Sequence, residues 1–107
     1  MPTDFKIVYK ILKTLQKSMA LNFYDSSKLT PSALGISEGR RDSILIMLQD
    51  AGYIKGVSIE QYIADDKPTV DTSSQIELTL KGLEYLAENS LMKKAARYAG
   101  DTLKLIK

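Results

Sequence analysis

The sequence predicts an α+β fold of the winged-helix type: a helix-turn-helix, an antiparallel wing of two to three strands and additional C-terminal helices, in one domain over residues 1–107. Three observations predict it. Two helix starts, Thr30-Pro31 and Ser37-Glu38, stand either side of the helix stop Gly35, the pattern of two helices joined by a tight turn. Beyond Gly52 the apolar residues change from helical spacing to alternation. A composition of 44% hydrophobic and 26% charged residues in 107 suits one globular domain with its own core.

The first element runs from about residue 4 to residue 20, where Phe5, Val8, Leu12, Leu15 and Met19 recur every three or four residues. This is an amphipathic helix. At about 100° per residue, Lys6, Lys10, Lys13 and Lys17 gather on its opposite face as a basic ridge. Residues 21–29, with the polar run Asp25-Ser26-Ser27, read as a loop, with or without a brief edge strand. Thr30 then caps a short helix over residues 31–34, with proline at its first position and Gly35 as its stop.

Ser37 caps the second helix of the pair, and Glu38 sits where the positive end of the helix dipole favours an acid. This recognition helix is expected to reach Ala51, burying Ile44, Met47, Leu48 and Ala51 before Gly52 ends it. Val57 and Ile59, and later Ile76, Leu78 and Leu80, alternate with polar residues as two strands, and residues 64–74 between them read as a long flexible tip. Thr79 caps a helix with Leu83, Leu86 and Ala87 inward. Ser90 opens a C-terminal amphipathic helix over residues 90–107, with Met92, Ala95, Ala96, Ala99, Leu103 and Ile106 on one side. Lys93, Lys94, Arg97, Lys104 and Lys107 occupy the remainder, and the apolar side is expected either to form a homodimer seam or to pack on the chain's own first helix.

Composition narrows the chemistry. The chain has no Cys and no His, which removes thiolate and imidazole metal ligands, disulfides and the commonest general base. The expectation is a protein that is not an enzyme and holds no cofactor or metal. Asp65, Asp66 and Asp71 lack the ligand spacing and turn glycine of a calcium loop, so they read as a solvated segment. Tyr53 and Tyr85 fall where the pattern places packing residues, and Gly82 where tight packing against the sheet is needed. No apolar run approaches the roughly 18 residues of a membrane span. The opening Met1-Pro2-Thr3-Asp4 lacks a signal peptide's basic flank, so a cytoplasmic location is expected.

Several stretches together resemble a family. Tyr9-Lys10-Ile11-Leu12, Ile36-Ser37-Glu38, the run from Met47-Leu48-Gln49 through Tyr53-Ile54-Lys55-Gly56-Val57, and the run Leu78-Thr79-Leu80-Lys81-Gly82-Leu83-Glu84-Tyr85-Leu86 are similar to the YjcQ-like proteins of bacteria and phages. The resemblance implies a small winged-helix protein in a phage or mobile-element setting. It brings no established binding residues with it.

The functional test is whether the recognition helix suits DNA, which requires Lys and Arg on phosphates and Arg, Lys, Asn or Gln on bases. The predicted exposed face carries Glu38, Gly39, Asp42, Ile46, Gln49 and Asp50, flanked by Arg41 and Ser43, while Arg40 projects along the apolar stripe and is expected to turn to solvent or pair with an acid. Over residues 37–79 four basic residues face eight acidic ones. The flanks are the reverse: residues 1–36 hold five lysines against two aspartates, and residues 80–107 hold six basic residues against three acidic.

Two readings therefore stand. One is a DNA-binding winged helix, a transcriptional regulator derived from a phage or mobile element, with duplex DNA met by Lys28, Arg40, Arg41, Ser43, Gln49 and Lys55 and by the basic ridges (Lys6, Lys10, Lys13, Lys17; Lys93, Lys94, Arg97, Lys104). The alternative is a protein-interaction module that uses the acidic face and Ile46 and binds no DNA. The lysine ridges are equally what a solvated helix surface looks like.

Overall fold

In a computed structural model, residues 3–60 and 68–89 are described. The expected strand tip around Asp65-Asp66 and the expected C-terminal helix, with its dimer seam and Lys93, Lys94, Arg97 and Lys104, lie outside them. The fold is α+β and winged-helix-like, with four α-helices and two small antiparallel sheets among the described residues.

Helix α1 (Thr3–Leu21) is followed by a 3-10 turn (Ser26–Leu29), α2 (Pro31–Leu34) and α3 (Glu38–Asp50). Local signals fix these boundaries. The Asp25 side chain accepts from Ser27 N at 3.0 Å to start the turn. Thr30 Oγ1 accepts from Ala33 N at 3.1 Å, and Ser37 Oγ from Arg40 N at 3.2 Å, each satisfying a helix-start amide that has no intrahelical partner. Gly35 closes α2 at φ 71°, the left-handed conformation that glycine adopts without strain.

One long hairpin follows. Strand β1 (Ile54–Lys55) pairs with β4 (Glu77–Leu78), and β2 (Ser58–Glu60) with β3 (Thr69–Asp71). Between the two ladders the first arm steps from Lys55 to Ser58 and the second from Asp71 to Glu77, so the second arm carries the bulge. At this break Gly56, φ 85°, lies so close to the opposite arm that a Cβ there would sit 2.6 Å from Gln75 O. The Asp71 carboxylate accepts from Ser73 N at 2.9 Å and holds the turn that begins the bulge.

Helix α4 (Leu80–Asn89) starts where Thr79 Oγ1 accepts from Gly82 N at 3.1 Å. It packs with α1, and α1 also packs against β4. Gly82 is required here, because a Cβ would overlap Tyr53 O and the Leu78 side chain. Tyr53 and Tyr85 do pack, with ring centroids 5.3 Å apart and planes tilted by 60°.

The core is built from Ile7, Ile11, Leu12 and Leu15 of α1, Leu29, Leu34, Ile44, Leu45, Leu48, Ile54, Val70, Ile76, Leu78 and Leu86. Three expectations change. On α1 the buried face includes Ile7 and Ile11, whereas Phe5 and Met19 are each 53% exposed. A ring of neighbours on several sides accepts a wider stripe than one periodic series. The expected flexible tip contains β3, because Val70 is buried in the core and draws its strand inward. Leu80, expected to continue a strand, opens α4 and is exposed.

Gly82→Ala is expected to lower stability by about 1–3 kcal/mol in urea unfolding, the usual range for overpacking a tight site. A change within error would contradict the close approach of α4 to Tyr53. Hydrogen bonds from Ser27 and Ser73 hold the Asp25 and Asp71 carboxyls below the ordinary aspartate pKa. Their contribution is complete above about pH 4 and is lost as pH falls through the lowered values. The Asp25→Asn, Asp71→Asn double variant should accordingly lose less melting temperature than the parent between pH 5 and pH 2.

Candidate functional site

The site is the outer surface of α3 and the arm of the hairpin beside it. Its foundation is a buried ion pair. Arg41 is 6% exposed and Asp42 3%. Arg41 Nε and Nη2 both donate to Asp42 Oδ1, at 3.0 and 2.8 Å, while Nη1 donates to Leu29 O at 3.4 Å and Nη2 to Val70 O at 3.2 Å. One guanidinium thus ties the 3-10 turn, α3 and β3 together. Tyr24 adds a second tie, its hydroxyl donating to Thr72 O at 2.7 Å, and burial raises the pKa of this phenol against the opposing pull of Arg41. A third tie is Gln49 Oε1, which accepts from Val57 N at 2.7 Å.

This overturns part of the expected exposed face. Arg41 and Asp42 point inward and are not available to a ligand in the way their flank positions implied. The buried side of α3 is Arg41, Asp42, Ile44, Leu45 and Leu48, so Met47, 60% exposed, and Ala51 leave the core. The helix is rotated toward the charged pair because residues 41, 45 and 48 share one face, and the partners of Arg41 compensate its burial.

With the ion pair beneath it, α3 and the start of β3 enclose a groove of about 800 Å³, lined by Ser37, Glu38, Arg40, Ser43, Ile46 and Thr69 among others. Ser43 is exposed, and Ile46 is half-buried against the core rather than fully exposed. Gln49 spends its carbonyl oxygen on the wing. Arg40 forms an ion pair with Asp4 of α1, the second of the two outcomes expected of it. Lys55 is exposed and 3.7 Å from Glu77 on the neighbouring strand. Pro68 and Thr69 join the groove although nothing in the sequence pattern singled them out, since a tip residue acquires a role only when its strand is placed.

Lys6, Lys10, Lys13 and Lys17 are all exposed along α1 as expected. Lys10 Nζ donates to Ala33 O at 2.8 Å, so the ridge passes beside α2. Lys28 is exposed near the far end of α1, where it and Lys17 line a separate hollow of about 320 Å³. Among the described residues no group of three or more His, Cys, Asp or Glu side chains could hold a metal ion, and no helix is long and apolar enough to cross a membrane.

The helix pair followed by the long hairpin, with a groove between α3 and the hairpin arm, defines a winged-helix-like α+β protein. Residues 9–107 match the family model described as YjcQ protein, and the chain belongs to that family. Neither the curated proteins nor the solved structures gave a match.

Arg41→Met leaves the Asp42 carboxylate buried without its counter-charge and is expected to cost about 3–5 kcal/mol in chemical denaturation. Adding Asp42→Leu removes the orphaned charge, so the double variant should be more stable than Arg41→Met alone. A double-variant loss equal to the sum of the Arg41→Met and Asp42→Leu losses would show that the two side chains are not coupled.

Proposed function

We propose that this winged-helix domain is a protein-interaction module that takes a segment of a partner protein into the groove between α3 and β3. One observation carries the reading: both arginines of α3 are engaged within the chain, Arg41 in the buried cluster and Arg40 with Asp4. A DNA-reading helix needs such side chains for phosphates and base edges. The exposed charges of α3 and the described strands are instead mainly acidic, Glu38, Asp50, Glu60 and Glu77 against Arg40 and Lys55. The groove offers Ile46 and Pro68 as apolar surface, Ser43 and Thr69 as hydroxyls, and Glu38 as an acid on the rim. A fitting partner segment presents an apolar side chain next to a basic one.

Duplex DNA is the second reading, and the placement of α1 favours it. Lys10 reaches the α2 carbonyl of Ala33, and Arg40 stands in the first turn of α3, whose positive end favours a phosphate. In that reading the protein is a regulator of the phage or mobile element in which such a chain is expected.

A photoreactive residue at Ser43 in living cells distinguishes them. Protein adducts that fall at least tenfold with Ile46→Asp are expected, together with no gel shift of duplex DNA at low salt. A salt-dependent shift that Lys10→Glu weakens would replace the interaction reading with the DNA one.

A further inference from the structure

The far end of α1 closes on a tight turn. Asn22 has φ 52°, its N–H donates to Met19 O at 3.3 Å, and Phe23 N donates to Ser18 O at 3.1 Å. This pair of reversed bonds ends a helix and fixes the direction of the residue that follows. That residue commonly rests an apolar side chain on the last turn, five or six positions back. Here those positions are Ser18 and Lys17. Phe23 accordingly stands outside the core, 64% exposed, beside Leu21 at 72%.

The turn also carries charge. Lys17 and Lys28 line the hollow of about 320 Å³ together with Leu21 and Phe23, and neither lysine forms an ion pair with a described residue. Asp25 shares the hollow, with its carboxylate turned to Ser27 N at 3.0 Å. An apolar pair thus stands next to two basic side chains.

We infer that this turn is the segment that the α3–β3 groove receives: Phe23 of one copy enters the groove of a second copy, and Lys17 and Lys28 meet its Glu38. The inference rests on the protein-interaction reading and names the partner. The groove sets Ile46 and Pro68 beside the exposed Glu38, while its Arg40 is held by Asp4. Apolar surface meets apolar surface, and basic side chains meet an acid. The wider charge distribution runs the same way, since residues 1–36 hold five lysines against two aspartates and residues 37–79 hold four basic residues against eight acidic ones.

Geometry makes the contact one between copies. Asp4, paired with Arg40 on the groove, and Leu21, at the hollow, stand at opposite ends of α1. At 1.5 Å per residue they are about 25 Å apart. The two bonds at Asn22 and Phe23 keep the turn at its own end of the helix. They also fix Phe23 before binding, so little freedom is lost when the ring is seated. The two surfaces are unlike, and a copy blocked at one of them keeps the other.

That asymmetry provides the test. Phe23→Asp blocks the turn, and Ser43→Arg, at an exposed position in the groove, blocks the receiving side. Sedimentation velocity on the purified full chain at low salt is expected to show association that grows with concentration and weakens with added salt. Each variant alone should remain a monomer, and an equal mixture of the two should sediment as a dimer, because one chain still offers a groove and the other still offers Phe23. A parent chain that stays monomeric up to millimolar concentration would overturn the inference, as would association that survives Phe23→Asp or a mixture that stays monomeric. In each of these cases, adducts of other proteins at Ser43 in cells would leave the interaction reading standing, whereas the absence of any protein adduct would remove both.

Discussion

A guanidinium taken out of water is tolerated only where carboxylate and carbonyl oxygens replace the water it loses. Arg41 meets that condition by drawing together Asp42, the Leu29 carbonyl and the Val70 carbonyl. The three partners belong to the 3-10 turn, helix α3 and the hairpin, so a local requirement for charge compensation becomes a global constraint on where the hairpin stands. No buried side-chain nitrogen or oxygen among the described residues is left without a partner. The Tyr24 tie acts on the same arm of the hairpin as Arg41, and the Gln49 tie acts on the other arm. The groove between α3 and β3 follows from this geometry, because its two walls are held at a fixed separation by bonds that run beneath it.

The same arrangement sets the electrostatics. An arginine committed to the interior no longer contributes to the outer field, and a second one paired with Asp4 contributes little more than a dipole. Exposed positive charge is left on α1, where Lys6, Lys10, Lys13 and Lys17 run past α2. The fold alone does not assign a ligand. Charge placement separates the readings, and it differs between the α3 face and the α1 face.

Capping was the most readable part of the sequence. Thr30, Ser37 and Thr79 each cap the helix they precede, and Gly35 stops α2, because these depend on a few neighbouring residues and on hydrogen bonds that any chain of that local sequence can make. Orientation was less readable. A hydrophobic stripe treats Arg41 as a surface residue, and so the predicted buried face of α3 is turned toward Met47 and Ala51. Phe5 and Met19 stand out from the core for a related reason: periodicity gives the angle of a side chain about its helix, and neighbours on other elements determine which angles are covered.

Helix positions, their caps, the change to alternating strands and the acidic balance of residues 37–79 are properties of short stretches, and sequence alone defines them. The burial of the Arg41–Asp42 pair, the strand at Val70 and the groove walls at Pro68 and Thr69 depend on groups far apart along the chain. Such features exist only once the hairpin has closed on α3. A charge that reads as surface in one dimension can then become the interior clamp of the fold, since only the assembled structure supplies the oxygens that make its burial affordable.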